Sequence, residues 1–255
     1  MSHVVQLRYT SQPMNNFVIE IDAISQLALE IMQAILARDA EAQKIMNDED
    51  GPLTLASALS DFFQIAATLE SDESYMNSDD LSEFGSYGLD LLDRLDFLIR
   101  KLEIMDQRDN VSRVRPSLAA WLARHDVIID NLTGAADGFG MLVNGLSEPQ
   151  DLAEMCQIMD EVIEAASEKL KMDEDKSDAW RPWRIINLNS GIAATRSLDP
   201  ELMERTFEKL GRRLPYDMPG FLADGKRQMI VQDVPEAVSA VMNRHAEKWS
   251  SKPPH

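Results

Sequence analysis

Apolar residues recur along the chain at intervals of three and four, the spacing that lines one face of an α-helix. The clearest run is Leu81, Phe84, Gly88, Leu91, Leu95, Leu98, Leu102 and Met105, narrow enough to form a packing seam between helices. It spans only about three heptads and lacks ordered flanking charges, which fits a core-facing helix better than an intermolecular coiled coil. Ile21, Ile24, Ala28, Ile31 and Ile35 predict a helix through Arg38. Leu55, Leu59, Phe62, Ala66 and Leu69 predict a second, after the break at Asp50, Gly51 and Pro52. Pro116 is expected to open a helix at its first turn, where a missing N–H costs nothing, with the face Leu118, Leu122, His125, Ile129 and Leu132. Pro149 begins another, with Leu152, Cys156, Met159, Ile163, Ala166 and Leu170 inside. Helices are also predicted over residues 180–196 and 200–214, the latter burying Met203, Phe207, Leu210 and Leu214, and a last pair starts near Pro219 and Pro235. A short strand over residues 4–9 is the one departure. The pattern predicts an all-α protein of about eight or nine helices, arranged as consecutive antiparallel hairpins in a bundle or a short α-solenoid.

Composition narrows the class. Hydrophobic residues make up 44% and charged residues 27%, ordinary for a soluble globular domain. Aromatics are only 6% against 14 methionines, so the core is expected to be aliphatic and Met-rich. The 25 Lys and Arg face 44 Asp and Glu, for a net charge of −19. Such a chain is repelled by phosphate backbones and by anionic membrane surfaces, so neither a nucleic-acid nor a membrane partner is expected. No apolar run is long enough to span a bilayer, and the N-terminus lacks a basic segment followed by an apolar core. A cytoplasmic protein is the expectation. Cys156 stands alone, which excludes a disulfide framework, a redox pair and a Cys-rich zinc site.

The charge is unevenly spread. Residues 1–179 carry 13 basic and 35 acidic side chains, net −22, whereas residues 180–255 carry 12 and 9, net +3. This suggests an acidic helical body over 1–178 and a mildly basic set of C-terminal hairpins over 179–255, or one continuous domain with two electrostatic faces. The acidic stretches 70–80 and 171–178 read as solvated linkers. Neither spaces its oxygens as a calcium loop does.

Within the basic part, Gly191 is followed sixteen residues later by Phe207 and eight after that by Pro215, inside a predicted helix–turn–helix. This arrangement, over about residues 184–215, resembles a tetratricopeptide unit. In that family a small residue lets the first helix approach its neighbour, an aromatic on the second fills the gap and proline ends the unit. The chain departs from the pattern at Asn187, Ser190 and Ala194, where the family carries Trp, Leu and Tyr, and at Met203, which replaces alanine. No second copy follows at the family's period. The resemblance implies stacked helical hairpins that bind a protein or peptide, and it transfers no specific binding residues.

Motifs for catalysis are lacking. Of the histidines His3, His125, His245 and His255, none lies three residues after a Glu, so the carboxylate–histidine pair of di-iron bundles is absent. No metal or cofactor is expected. His125 and His245 fall on apolar faces, the pattern of hydrogen-bonded core histidines. His125 with Asp126 and Asp130 is the best polar group, and a small-ligand or catalytic bundle around it is the competing reading. The glycines Gly134, Gly138, Gly140 and Gly145 lack the Lys-Ser/Thr of a phosphate loop and are expected either to permit close helix crossing or to break a long helix.

Two polar features point to partners. Arg205, Lys209 and Arg212 share one helical face, with Arg181, Arg184 and Arg196 nearby in sequence. They form either a solvated face supplied with local Glu partners or a docking surface for an acidic partner or for the chain's own acidic half. Trp180 and Trp183 bracket Pro182, either pinning the linker to the core or anchoring a bound peptide. The leading expectation is a non-enzymatic cytoplasmic interaction module with no catalytic residues. It would contact another protein or peptide, an acidic one included, through Trp180, Trp183, Arg184, Arg205, Lys209 and Arg212. A third class is a structural subunit whose Met-rich faces are buried in a homo-oligomer.

Overall fold

The seams read from the sequence become helices that bury them. The computed structural model describes residues 17–42, 51–72, 75–174, 176–231 and 234–250. Among these residues eleven α-helices follow one another without a strand, so the protein is all-α. The strand expected over residues 4–9 lies outside the described residues. Helix α1 (Ile21–Ala42) buries Ile24, Ala28, Ile31 and Ile35, and α2 (Pro52–Ser71) starts on its proline and buries Leu55, Leu59, Phe62 and Leu69. Helix α3 (Ser78–Lys101) is capped by Asn77, whose side chain accepts from the Asp79 and Asp80 N–H groups, and acids in its first turn and Arg100 and Lys101 in its last complement the helix dipole. Its seam is buried from Phe84 to Leu102. Met105 is not part of it, because the helix stops at Lys101 and Met105 stands exposed in a 3₁₀ turn (Met105–Gln107).

Helix α4 (Arg108–Arg124) differs from the expectation at both ends. Pro116 lies inside it rather than at its start, because Val111 and Val114 already face the core one turn earlier. Every residue from Val114 to Leu122 is buried, so that stretch has no solvent face and no simple apolar stripe. It also ends sooner than predicted. His125 is the C-terminal cap and Asp126 takes a positive φ of 56°, which turns the chain away. Ile129 therefore sits in a loop and exchanges backbone hydrogen bonds with the 165–167 segment, Ile129 N–H to Ala165 O at 2.9 Å and Ser167 N–H to Ile129 O at 2.9 Å.

Helices α5 (Thr133–Gly145), α6 (Pro149–Glu164) and the single-turn α7 (Glu168–Lys171) follow. Cys156 is buried on α6, as its stripe predicts. The glycines of α5 allow close approach. A Cβ at Gly134 would stand 2.3 Å from an Asp93 carboxylate oxygen, and one at Gly138 would stand 2.5 Å from the Ser112 carbonyl of α4. The C-terminal part comprises α8 (Pro182–Arg196), α9 (Pro200–Arg213), α10 (Met218–Val231) and α11 (Glu236–Ser250). Helix α4 packs against α1, α3, α5 and α6, while α8 packs against α5, α6 and α9, and α11 against α9 and α10. Helices far apart in sequence thus meet, as in a bundle, and one hydrophobic cluster runs from Ile21 to Trp249 across residue 178. Among the described residues no helix is long and apolar enough to cross a membrane.

Candidate functional site

The segment between α7 and α8 is exposed at Met172, Glu174, Lys176, Ser177 and Asp178, as its acids suggest, but it is pinned at Asp173. Asp173 is buried because Arg181, the residue before α8, grips it with Nε and Nη2. Arg181 also donates to the Asp178 carbonyl at 2.8 Å and to Asp217 at 3.3 Å. Arg184, on the first turn of α8, donates to the same Asp217 at 2.6 Å and to the Ala179 carbonyl at 2.9 Å. Two arginines and two aspartates therefore tie the 173–181 segment to the turn between α9 and α10. The hydrogen bonds that Arg181 donates to Asp173, together with the aspartate's charge, hold the guanidinium above its ordinary pKa in spite of burial.

The tryptophan pair divides. Trp183 is 4% exposed and packs into the core, with its carbonyl accepting from the buried Asn187 side chain at 2.9 Å. Trp180 is 81% exposed. Only Trp180 is free to meet a partner, and its backbone sits beside the residue held by Arg184.

The basic row of α9 divides as well. This helix earns its place through an apolar face of Met203, Phe207, Leu210 and the following Leu214. Lys209 and Arg213 cross to the acidic α6, where both meet Asp160 and Glu164; the Arg213–Asp160 distance is 3.0 Å and the Lys209–Glu164 distance 3.6 Å. Arg213 also donates to Asn187 at 3.3 Å. Arg205 is exposed and 4.0 Å from Glu201 on its own helix, and Arg212 is exposed. The cation nearest the middle of the row is thus engaged with the chain's own acidic half, and Arg205 and Arg212 remain outward.

A groove opens between α8 and α10. Arg184, Leu188, Ile192, Thr195 and Arg196 recur along one face of α8, opposite Asp217, Gly220, Phe221, Asp224, Gly225 and Gln228, with Tyr216 at one end. It holds about 370 Å³, room for a few side chains. Leu188, Ile192 and Phe221 are half-buried and supply an apolar floor. A Cβ at Gly220 would meet nothing within 4 Å. Arg196 sits in the wall, where its Nη1 and Nη2 donate to the Val143 and Leu146 carbonyls at the end of α5. Burial alone pulls its pKa below the usual arginine range. Of these residues only Arg184 was singled out as a contact from the sequence. The others were obscured because α8 is half-buried on two faces, toward α5 and α6 and toward the groove. The one readable sign was Arg184, Leu188, Ile192 and Arg196 at successive intervals of four.

The polar group around His125 does not assemble. His125 caps α4 with its Nδ1 2.9 Å from the Trp121 carbonyl, and its ring lies tilted by 32° against Trp121 with centroids 4.2 Å apart. Asp126 and Asp130 are exposed on the loop beyond. His245 is a buried core histidine, paired with Glu204 at 2.8 Å and edge-on to Phe207. Among the described residues no group of three His, Cys, Asp or Glu side chains is placed to hold a metal ion. Arg115 is buried and meets Asp93 and Asp96, at 3.4 and 3.3 Å, clamping α4 to α3 beneath Gly134. Comparison with protein families, with curated proteins and with solved structures finds no match to the chain.

Proposed function

We propose that this chain is a non-enzymatic cytoplasmic interaction module that binds another protein through the α8–α10 groove, edged by Arg184 and Tyr216, with the exposed Trp180, four residues before Arg184, as a further contact. The observation that carries this reading is the groove itself, an apolar floor between two helices bounded by charged and aromatic side chains. Recognition surfaces combine an apolar centre with a polar rim in this way, and large exposed aromatics such as Trp180 and Tyr216 dominate contact energies. The α8–α9 hairpin packs closely against α10. Gly191 of α8 lies against Phe221 and Leu210, where a Cβ would come within 2.7 Å of the Phe221 ring, and Phe207 meets Phe221 edge-on at 5.3 Å. The aromatic against Gly191 is thus Phe221 of α10, where the tetratricopeptide pattern would put Phe207 of the second helix. Cys156 as the sole cysteine agrees with a reducing compartment.

The test is site-specific crosslinking. A photoreactive amino acid at Gln228, on the groove wall, should capture a discrete partner polypeptide in cells, whereas the same group at Tyr87, exposed on α3, should not. Equal capture at both positions, or turnover of a small-molecule panel by the purified protein, rejects the proposal.

A further inference from the structure

The charges lining the groove cancel in pairs, with one exception. Asp217 is held by Arg181 and Arg184, and Asp224 pairs with Arg227. Arg196 has no carboxylate beside it among the described residues. Its two hydrogen bonds go to carbonyl oxygens at the C-terminal end of α5, whose dipole offsets part of the positive charge but supplies no formal counter-charge. The Nε–H and the second hydrogen on each terminal nitrogen have no protein acceptor among the described residues. A guanidinium presents its donors in a planar fork that matches a carboxylate. Partial burial strengthens such a bond relative to one in open water. In a molecule of net charge −19, a cation without an acid at the wall of an apolar groove is a local reversal of the surrounding field.

Resting on the interaction reading above, we propose that the groove takes a short linear segment of a partner protein, whose apolar side chains cover Leu188, Ile192 and Phe221 and whose acidic side chain seats on Arg196. Its volume suits two or three side chains rather than a folded surface, and Gly220 leaves the floor open to close backbone approach. The carboxylate sets register and the apolar residues supply most of the affinity, because charge complementarity acts more on specificity and association rate.

A library of short random peptides, selected against the full chain, tests this. Enriched peptides should carry Asp or Glu next to Leu, Ile or Phe. Changing that acid to its amide in a synthetic copy should weaken binding to wild-type protein at least about tenfold, as expected for a charge-assisted hydrogen bond. This comparison needs no protein variant, which matters because Arg196 also holds the end of α5. Gln228, exposed on the wall, gives a fold-neutral check: Gln228→Glu should weaken the acidic peptide and Gln228→Lys should tighten it. Binders that lose affinity with Ile192→Glu but show no acid preference, or tolerate the amide, overturn the carboxylate inference and leave the interaction reading intact. Recovery of no binder, or of binders indifferent to both Ile192 and Gln228, overturns the two together.

Discussion

Gly138 and Gly145 lie on the same short helix yet serve different ends. A Cβ at Gly138 would press on the Ser112 backbone carbonyl, which cannot swing aside, whereas one at Gly145 meets nothing within 4 Å. Gly138→Ala is therefore expected to cost about 1–3 kcal/mol through overpacking, while Gly145→Ala should gain about 0.5–1 kcal/mol by restricting the unfolded chain. Urea denaturation of the two variants measures both signs. Two carboxyls make stability depend on pH in opposite directions. Burial pushes Asp93 above its ordinary range, against the pull of Arg115 and a hydrogen bond from Asn131. The fold then holds this proton more tightly than the unfolded chain, so its contribution declines as pH rises from about 3.9 through the higher folded value. Glu204 behaves oppositely. Burial opposes its ionisation, but hydrogen bonds from Arg244 and His245 outweigh it and hold the carboxyl below the usual range. Its contribution is complete above about 4.3 and is lost as pH falls through the lower folded value. Denaturation midpoints across acid pH should show Asp93→Asn improving relative to wild type as pH rises, and the Glu204→Gln deficit shrinking as pH falls.

At the level of elements, the helices that could be read from the sequence are those with one buried face. The seams of α3, α6 and α9 are regular because each meets solvent on the other side. Asp199 also announces the start of α9, and its side chain accepts from the Glu201 and Leu202 N–H groups at 2.9 and 3.1 Å. Asp199→Ala should cost about 1 kcal/mol, measurable as a lower thermal midpoint. Helix α4 was misread for the opposite reason: burial on every side from Val114 to Leu122 removes the period, and Pro116 in its interior imitates a start. Its end was also unmarked. Helices commonly stop on a glycine in the left-handed region, but among the described residues those with positive φ are Glu103, Asp126, Asp173 and Leu198, and no glycine is one of them. The expected helical face through His125 and Ile129 fails at Asp126 for this reason. The candidate site was legible in part. Arg184 reaches the groove, but the groove arises from two helices facing each other, a relation that neither segment encodes alone. The glycines of α5 were read for close crossing or for a helix break, and Gly134 and Gly138 provide the crossing.

Across the whole molecule, the acidic and basic parts are joined through α6 and α9. Arg213 is mostly buried between Asp160 and Glu164, whereas Glu164 is 60% exposed, so solvent screens much of the attraction. Arg213→Gln should cost about 1 kcal/mol, and Arg213→Glu more, since a third acid would then stand beside two; comparing their denaturation curves at low and moderate salt separates repulsion from lost packing. Moderate salt should itself raise the wild-type melting temperature, because screening the net charge of −19 relieves more repulsion than the surface pairs lose. The same α6–α9 pairing has a consequence during synthesis. Residues 1–179 leave the ribosome carrying net −22, with Asp160 and Glu164 waiting for cations that lie some fifty positions downstream. Until Lys209 and Arg213 emerge, the nascent body repels itself and α6 lacks the helices that cover it. Elongation speed from residue 180 to residue 213 thus sets how long an uncovered, self-repelling intermediate is presented to chaperones and proteases, and a chain ended at residue 179 would hold that state permanently.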